Sequence, residues 1–172
     1  MPVYALGDLI PAIDPTAFVH PEAVVIGGVT IGPGASIWPC AVLRGDGRGI
    51  VVGARTSIQD GAVLHTTDEV ATVVGDDCVV GHLAHLEGCT IEDGCLIGVG
   101  AVVLHRVVVR AGGVVAANAV ALNDLEVPSG AVALGVPAKI REGMADRDDI
   151  AHSAAGYLLR AERYRKELRR LS

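Results

Sequence analysis

Between Leu43 and Cys89 the chain gathers Arg44, Asp46, Gln59, Asp60, His65, His82, His85 and Glu87. These residue types bind metal ions, transfer protons and pair across ionic contacts. Imidazole and carboxylate side chains together suit a zinc-type ion, whose catalytic sites take three protein ligands and leave one position open. They form such a site only if the fold returns them to one place. On either side runs a hydrophobic repeat with few reactive groups.

The frame that would position them is that repeat. An aliphatic residue recurs every six positions at Ile13, Val19, Val25, Ile31, Ile37 and Leu43. Four residues after each comes Ala17, Ala23, Val29, Ala35, Ala41 and Gly47, nearly all small. After a three-residue slip the phase resumes at Val52, Ile58 and Leu64. A further excess within TTDEVAT precedes Val74, Val80 and Leu86. One five-residue step leads to Ile91, and Ile97, Val103, Val109, Val115, Ala121 and Val127 keep the phase. A period of six is neither helical nor a simple strand alternation. It marks a hexapeptide β-helix, in which each rung is a short strand and a corner. The first and fifth residues of a rung point inward, the second and sixth outward, and a triangular turn repeats after about three rungs at the strand spacing of about 4.8 Å.

From Pro137 onward the repeat stops. DRDDIAHSAAGYLLRAERYRKELRRL places Ala154, Tyr157, Leu158, Ala161, Tyr164, Arg165 and Leu168 at helical spacing, with acidic residues opening the segment and basic ones closing it. The expected organisation is a β-helix over 1–136 and a tail over 137–172 whose helix packs on the outside of the coil.

Counting rungs in threes puts Leu43, Leu64 and Leu86 on one face, so their outward neighbours Arg44, His65 and Glu87 should stack on consecutive turns. On the adjacent face, Asp60 and His82 share the third position and Gln59 takes the second. His65 and Glu87 are then close enough to share an ion. His82 reaches the same ion only from a neighbouring subunit, in a side-by-side trimer. His85 stacks on Val63 and reaches diagonally.

Composition bounds the rest. The chain has 172 residues, enough for one domain, with 51% hydrophobic and 3% aromatic residues, so the core must be aliphatic. A formal charge of −6 argues against nucleic acid as a partner. No apolar run approaches the roughly 18 residues that cross a bilayer, and MPVYALGDL lacks a signal-peptide pattern. Cys40, Cys78, Cys89 and Cys95 show no metal-knuckle spacing. A cytoplasmic protein with no membrane partner is expected. Cys89 and Cys95 read as core or corner residues, and His20, His105 and His152 as structural.

SIWPCAVLRGD, TSIQDGAVLH, VGHLAHLEGCTI and SGAVALGVPAKIR resemble the gamma-class carbonic anhydrase family, over almost the whole chain. The resemblance implies an all-β, left-handed parallel β-helix and a homotrimer with one zinc ion, or iron(II) or cobalt(II), at each subunit interface. It implies reversible hydration of CO2 to bicarbonate by a metal-bound hydroxide. His65 and His82 match two of the family's three histidine ligands. Arg44 and Asp46 match a pair that bridges the interface. Gln59 matches the residue that hydrogen-bonds the water or bicarbonate, and Asp60 its neighbour that fixes the site.

Two positions depart from the pattern. Where the family motif carries a histidine two residues before the cysteine, this chain has Glu87, with His85 nearby. Glu87 is favoured as third ligand because it stacks on His65, and His85 remains the alternative. Ser57 stands where the family often has asparagine. Asp68 and Glu69, in the inserted loop after His65, are candidate proton shuttles or simply an exposed acidic loop. The altered ligand also leaves open a metal-binding scaffold without activity, and the frame alone is shared with acyl-CoA-dependent acyltransferases.

Overall fold

The computed structural model describes residues 2–172. Short parallel strands coil through about seven turns of a left-handed solenoid, closed by one helix. The first face stacks Val24–Ile31, Val42–Val52, Val63–His65, His85–Glu87, Val102–Val103 and Val120–Ala121 in register. The second continues from the far ends of the first two strands through Thr72–Val74, Thr90–Ile91, Val108–Val109 and Glu126–Val127. The third runs from Phe18–Val19 to Val132–Leu134, where Lys139–Arg141 adds antiparallel and ends the coil.

The six-residue phase accounts for the core. Val25, Leu43, Leu64, Leu86, Val103 and Ala121 form one inward stack, all fully buried, and the corresponding stacks of the other faces are buried from the second turn on. Cys78, Cys89 and Cys95 fill inward corner positions and are buried, while Cys40 is exposed. One inward position differs from the repeat. Ile50, not Gly47, pairs with Val29 and is buried, because Val42–Val52 continues as one strand through the three-residue insertion and around the corner. Thr72 and then Cys89 continue that stack on the next turns.

The helix, Arg147–Glu167, is capped by the Asp146 carboxylate, which accepts from the backbone N–H groups of Asp148 and Asp149. At its start Arg147 donates to the Ala111 carbonyl and the Ser129 hydroxyl, and near its end Arg165 donates to the Thr16 carbonyl. The helix therefore runs along the coil axis from the last turns back to the first. Ile150, Ala154 and Ala161 are buried against the third face, and Tyr157 and Tyr164 meet Trp38 edge-on, at 5.7 and 5.1 Å. Leu168 lies beyond the last helical turn and is exposed, so the apolar face is shorter than the spacing predicts. The third face is thus covered, and the first face stays open.

Leu86→Ala, which empties a fully buried rung position, is expected to lower stability by about 2–5 kcal/mol, whereas Leu159→Ala on the exposed side of the helix should change it by less than about 0.5 kcal/mol. Denaturant unfolding of the two variants beside the parent measures both.

Candidate metal centre

Parallel pairing brings the outward residues of the first face into line. Arg44 pairs with His65 and His65 with Glu87 on successive turns. His65 Nδ1 lies 3.0 Å from Glu87 Oε1, and its Nε2 lies 2.9 Å from Asp46 Oδ1. Arg44 donates to the other oxygen of Asp46. The network runs on through Glu87 Oε2, which is 3.3 Å from His85 Nε2. Arg44, Asp46, His65, Glu87 and His85 are thus one connected set, with His65 and Glu87 largely screened from solvent.

This setting governs both carboxylates. Partial burial works against ionised Glu87, but hydrogen bonds from His65 and His85 and the fields of His65 and His105 outweigh it and hold the carboxyl below its ordinary value. For Asp46 the same desolvation is overcome by the His65 contact, its own backbone N–H and Arg44, and its value too is lowered.

A second group sits at the corner between the third and first faces. Asp60 Oδ2 is 2.9 Å from His82 Nδ1, and both side chains are well exposed. This contact leaves Nε2 of His82 free to meet an incoming group. Leu83, the next residue, adopts φ 59° and is 69% exposed, while its equivalents one turn below and above are Gly61 and Gly100. Those glycines take the left-handed conformation without a Cβ clash, whereas leucine carries that strain to present an apolar side chain to solvent. Gln59 points outward as the phase requires, one turn above Trp38, yet is only 4% exposed.

The insertions place the site without distorting it. Asp68 and Glu69 are exposed on the loop after His65, and Thr67 caps that loop by accepting from the N–H of Val70. The Thr67 and Val70 side chains lie beside Gly88, as does the ring of His105, so the loop borders the Glu87 end of the column. Beneath it, the buried Thr72 hydroxyl donates to the His65 carbonyl and accepts from the Gly88 N–H at 2.8 Å. One core hydroxyl ties together the two rungs that carry His65 and Glu87.

Within one chain Arg44 and Asp46 form an ion pair, since they stand two residues apart on one strand with both side chains on the same side. One expectation needs correction. His105 is not isolated from the site: its Nε2 is 3.6 Å from Glu87 Oε1. It occupies the third position of its rung, one turn above Gly88, and a side chain there leans over the glycine toward Glu87. Extending the stack of third positions along the first face, as the adjacent face invites, would have found it.

Thr72→Val keeps the shape of the corner but leaves the Gly88 N–H buried without an acceptor. It is expected to cost about 1–3 kcal/mol in equilibrium unfolding, more than an exposed Thr→Val exchange.

Comparison with known proteins agrees with this architecture. The family model described as bacterial transferase hexapeptide (six repeats) matches residues 13–45 and 71–105. The mitochondrial gamma carbonic anhydrase 1 of Arabidopsis thaliana is 42% identical over 87% of this chain, which spans 58% of that protein. Carnitine operon protein CaiE of Escherichia coli K12 is 38% identical over 85% of the chain and 74% of its own length. The crystal structure of a hexapeptide transferase family protein from Anaplasma phagocytophilum superposes with a TM-score of 0.91 at 35% identity, over 95% of this chain and 98% of that one. With the repeat, the helix and the stacked column all in place, the chain belongs to the gamma-class carbonic anhydrase family of hexapeptide-repeat β-helix proteins.

Proposed function

We propose that the protein is a metal-dependent hydratase that interconverts CO2 and bicarbonate, as a homotrimer with one zinc ion, or iron(II) or cobalt(II), at each subunit interface. The observation that carries this reading is the pairing of His65 and Glu87 on adjacent turns, 3.0 Å apart, with His82 held out on the next corner by Asp60. Two imidazoles and a carboxylate are a donor set that zinc and iron(II) accept. Among the described residues of one chain, no three His, Cys, Asp or Glu side chains are placed to hold an ion. The set is completed when His82 of a second copy approaches His65 and Glu87 of the first. Leu83 and Val99, 69% and 46% exposed around His82, supply apolar surface for that contact. The helix packs on the third face, and the side chains at this corner stay exposed.

An ion held there supplies a Lewis acid and lowers the pKa of a water molecule. The remaining roles belong to the chain. Asp60 binds Nδ1 of His82 and thereby fixes which nitrogen is offered to the ion. Asp46, anchored by Arg44, steadies the His65 ring. The Gln59 amide, next to Asp60, orients water or bicarbonate by hydrogen bonding. Asp68 and Glu69, exposed beside the column, pass the released proton to solvent. Glu87 adds a negative charge where histidine would add none, which weakens the Lewis acid and sets this chain apart from a three-histidine centre.

A second reading, acyl transfer from acyl-CoA, is favoured by one feature. His82 with Asp60 on Nδ1 is a histidine–carboxylate pair of the kind that serves as a general base.

Elemental analysis with stopped-flow CO2 hydration separates these readings. The hydratase reading expects about one ion per chain, hydration well above background, and loss of both on chelation or in His82→Ala. Full metal loading with only background hydration would leave a metal-binding scaffold. No bound metal together with saturable acetyl-CoA binding would establish the transferase reading. Leu83→Glu should shift the trimer to monomer in sedimentation and remove metal with it.

A further inference from the structure

We propose that Glu87 is the third protein ligand of this centre and that His85 and His105 are positioning residues that clamp its carboxylate, an inference that rests on the metal-centre reading above. The carboxylate has two inequivalent oxygens here. Oε2 faces His85 Nε2 at 3.3 Å, while Oε1 faces His65 Nδ1 at 3.0 Å and has His105 Nε2 at 3.6 Å on its flank. One oxygen is therefore tethered away from the His65 column, and the other is presented to it.

The register explains why His85 takes this part. Its backbone neighbours on the turns below and above are Val63 and Val102, which offer its ring no polar partner. Among the described residues its one charged contact is Glu87, two positions along the same strand and therefore on the same side of it. A ligand role would turn His85 away from Glu87 and leave that carboxylate held by His65 and His105 alone.

The reason such a clamp is needed lies in the ligand type. A glutamate has three rotatable bonds before its oxygens, and a carboxylate can bind an ion through one oxygen or both. A rigid imidazole at this position would need less help. Partners that order a ligand before the ion arrives commonly change affinity by about 10- to 100-fold when removed, without changing how many ions bind. His85 and His105 stand where such partners belong. A plain surface role for the two rings predicts no effect on the ion at all.

The test uses the full-length protein, stripped and then titrated with zinc against a chelator, with cobalt(II) absorption reporting the coordination. Glu87→Ala should lose stoichiometric zinc. His85→Ala and His105→Ala should keep one ion per site with zinc affinity about 10- to 100-fold weaker, while the unfolding midpoint of the metal-free protein stays close to the parent's. His85→Gln, which retains an N–H donor, should recover most of the affinity. If His85→Ala abolishes loading while Glu87→Ala retains it, His85 is the ligand and the inference fails. It fails equally if neither histidine variant changes the affinity, or if the losses follow the midpoint of the metal-free protein. A parent protein that binds no zinc stoichiometrically would instead sink the metal-centre reading itself, and this inference with it.

Discussion

The constraint on which the structure depends is the in-register hydrogen bonding of one turn to the next. Each rung donates and accepts along the coil axis, so stacked residues sit at the strand spacing of about 4.8 Å whatever their side chains are. Inside, this forces aliphatic residue upon aliphatic residue, as in the stack from Val25 to Ala121. Outside, it brings any polar side chains that share a phase into contact. Arg44, His65 and Glu87 are separated by 21 and 22 residues yet follow one another on adjacent strands. The backbone ladder sets their separation, and the side chains have only to point outward.

The same constraint explains what was legible in the sequence. The six-residue phase was enough to place the buried positions and to predict both polar columns, because hydrophobic period and rung are the same quantity in this fold. The misreadings fall where the chain leaves that period. Gly47 holds the fifth place by count, but the strand from Val42 to Val52 carries the insertion around the corner and delivers Ile50 to the core instead. Counting residues cannot say where within an insertion the extra chain is accommodated; only the pairing partner, Val29, does. His105 joins the site across columns and not along one, which the phase of a single column does not reveal. A third-position ring one turn above a glycine has room to lean, and Gly88 provides it. The bonds that close Arg44, Asp46 and His65 into one network depend on rotamers, about which phase says nothing.

Rigidity beneath the site follows from the core. Thr72 interrupts an aliphatic stack, but its hydroxyl is fully engaged by the two rungs that bear His65 and Glu87. A satisfied buried hydroxyl of this kind fixes the relation of two turns more narrowly than packing alone, since an alternative register would leave backbone groups unpaired. The loop containing Asp68 and Glu69 can therefore bulge outward while the residues on either side of it stay in phase. On the third face, the helix and the Trp38 aromatic cluster perform the complementary task. They cover the apolar surface of that face and tie the last turns of the coil to the first.

Glu87 is where this chain's electrostatics departs from an all-histidine design. A carboxylate placed here with no donor around it would lose hydration with nothing in return, and would be the weak point of the column. Here it gains hydrogen bonds from His65 and His85 and a favourable field from His105, enough to lower its pKa despite partial burial. Each negative group in the column faces nitrogen partners: Arg44 and one ring nitrogen of His65 for Asp46, and the other ring nitrogen of His65 with one of His85 for Glu87. His65 is shared between the two carboxylates, one ring nitrogen facing each. The same shared ring couples Asp46 to Glu87 through His65, so a change at either carboxylate is felt by the other.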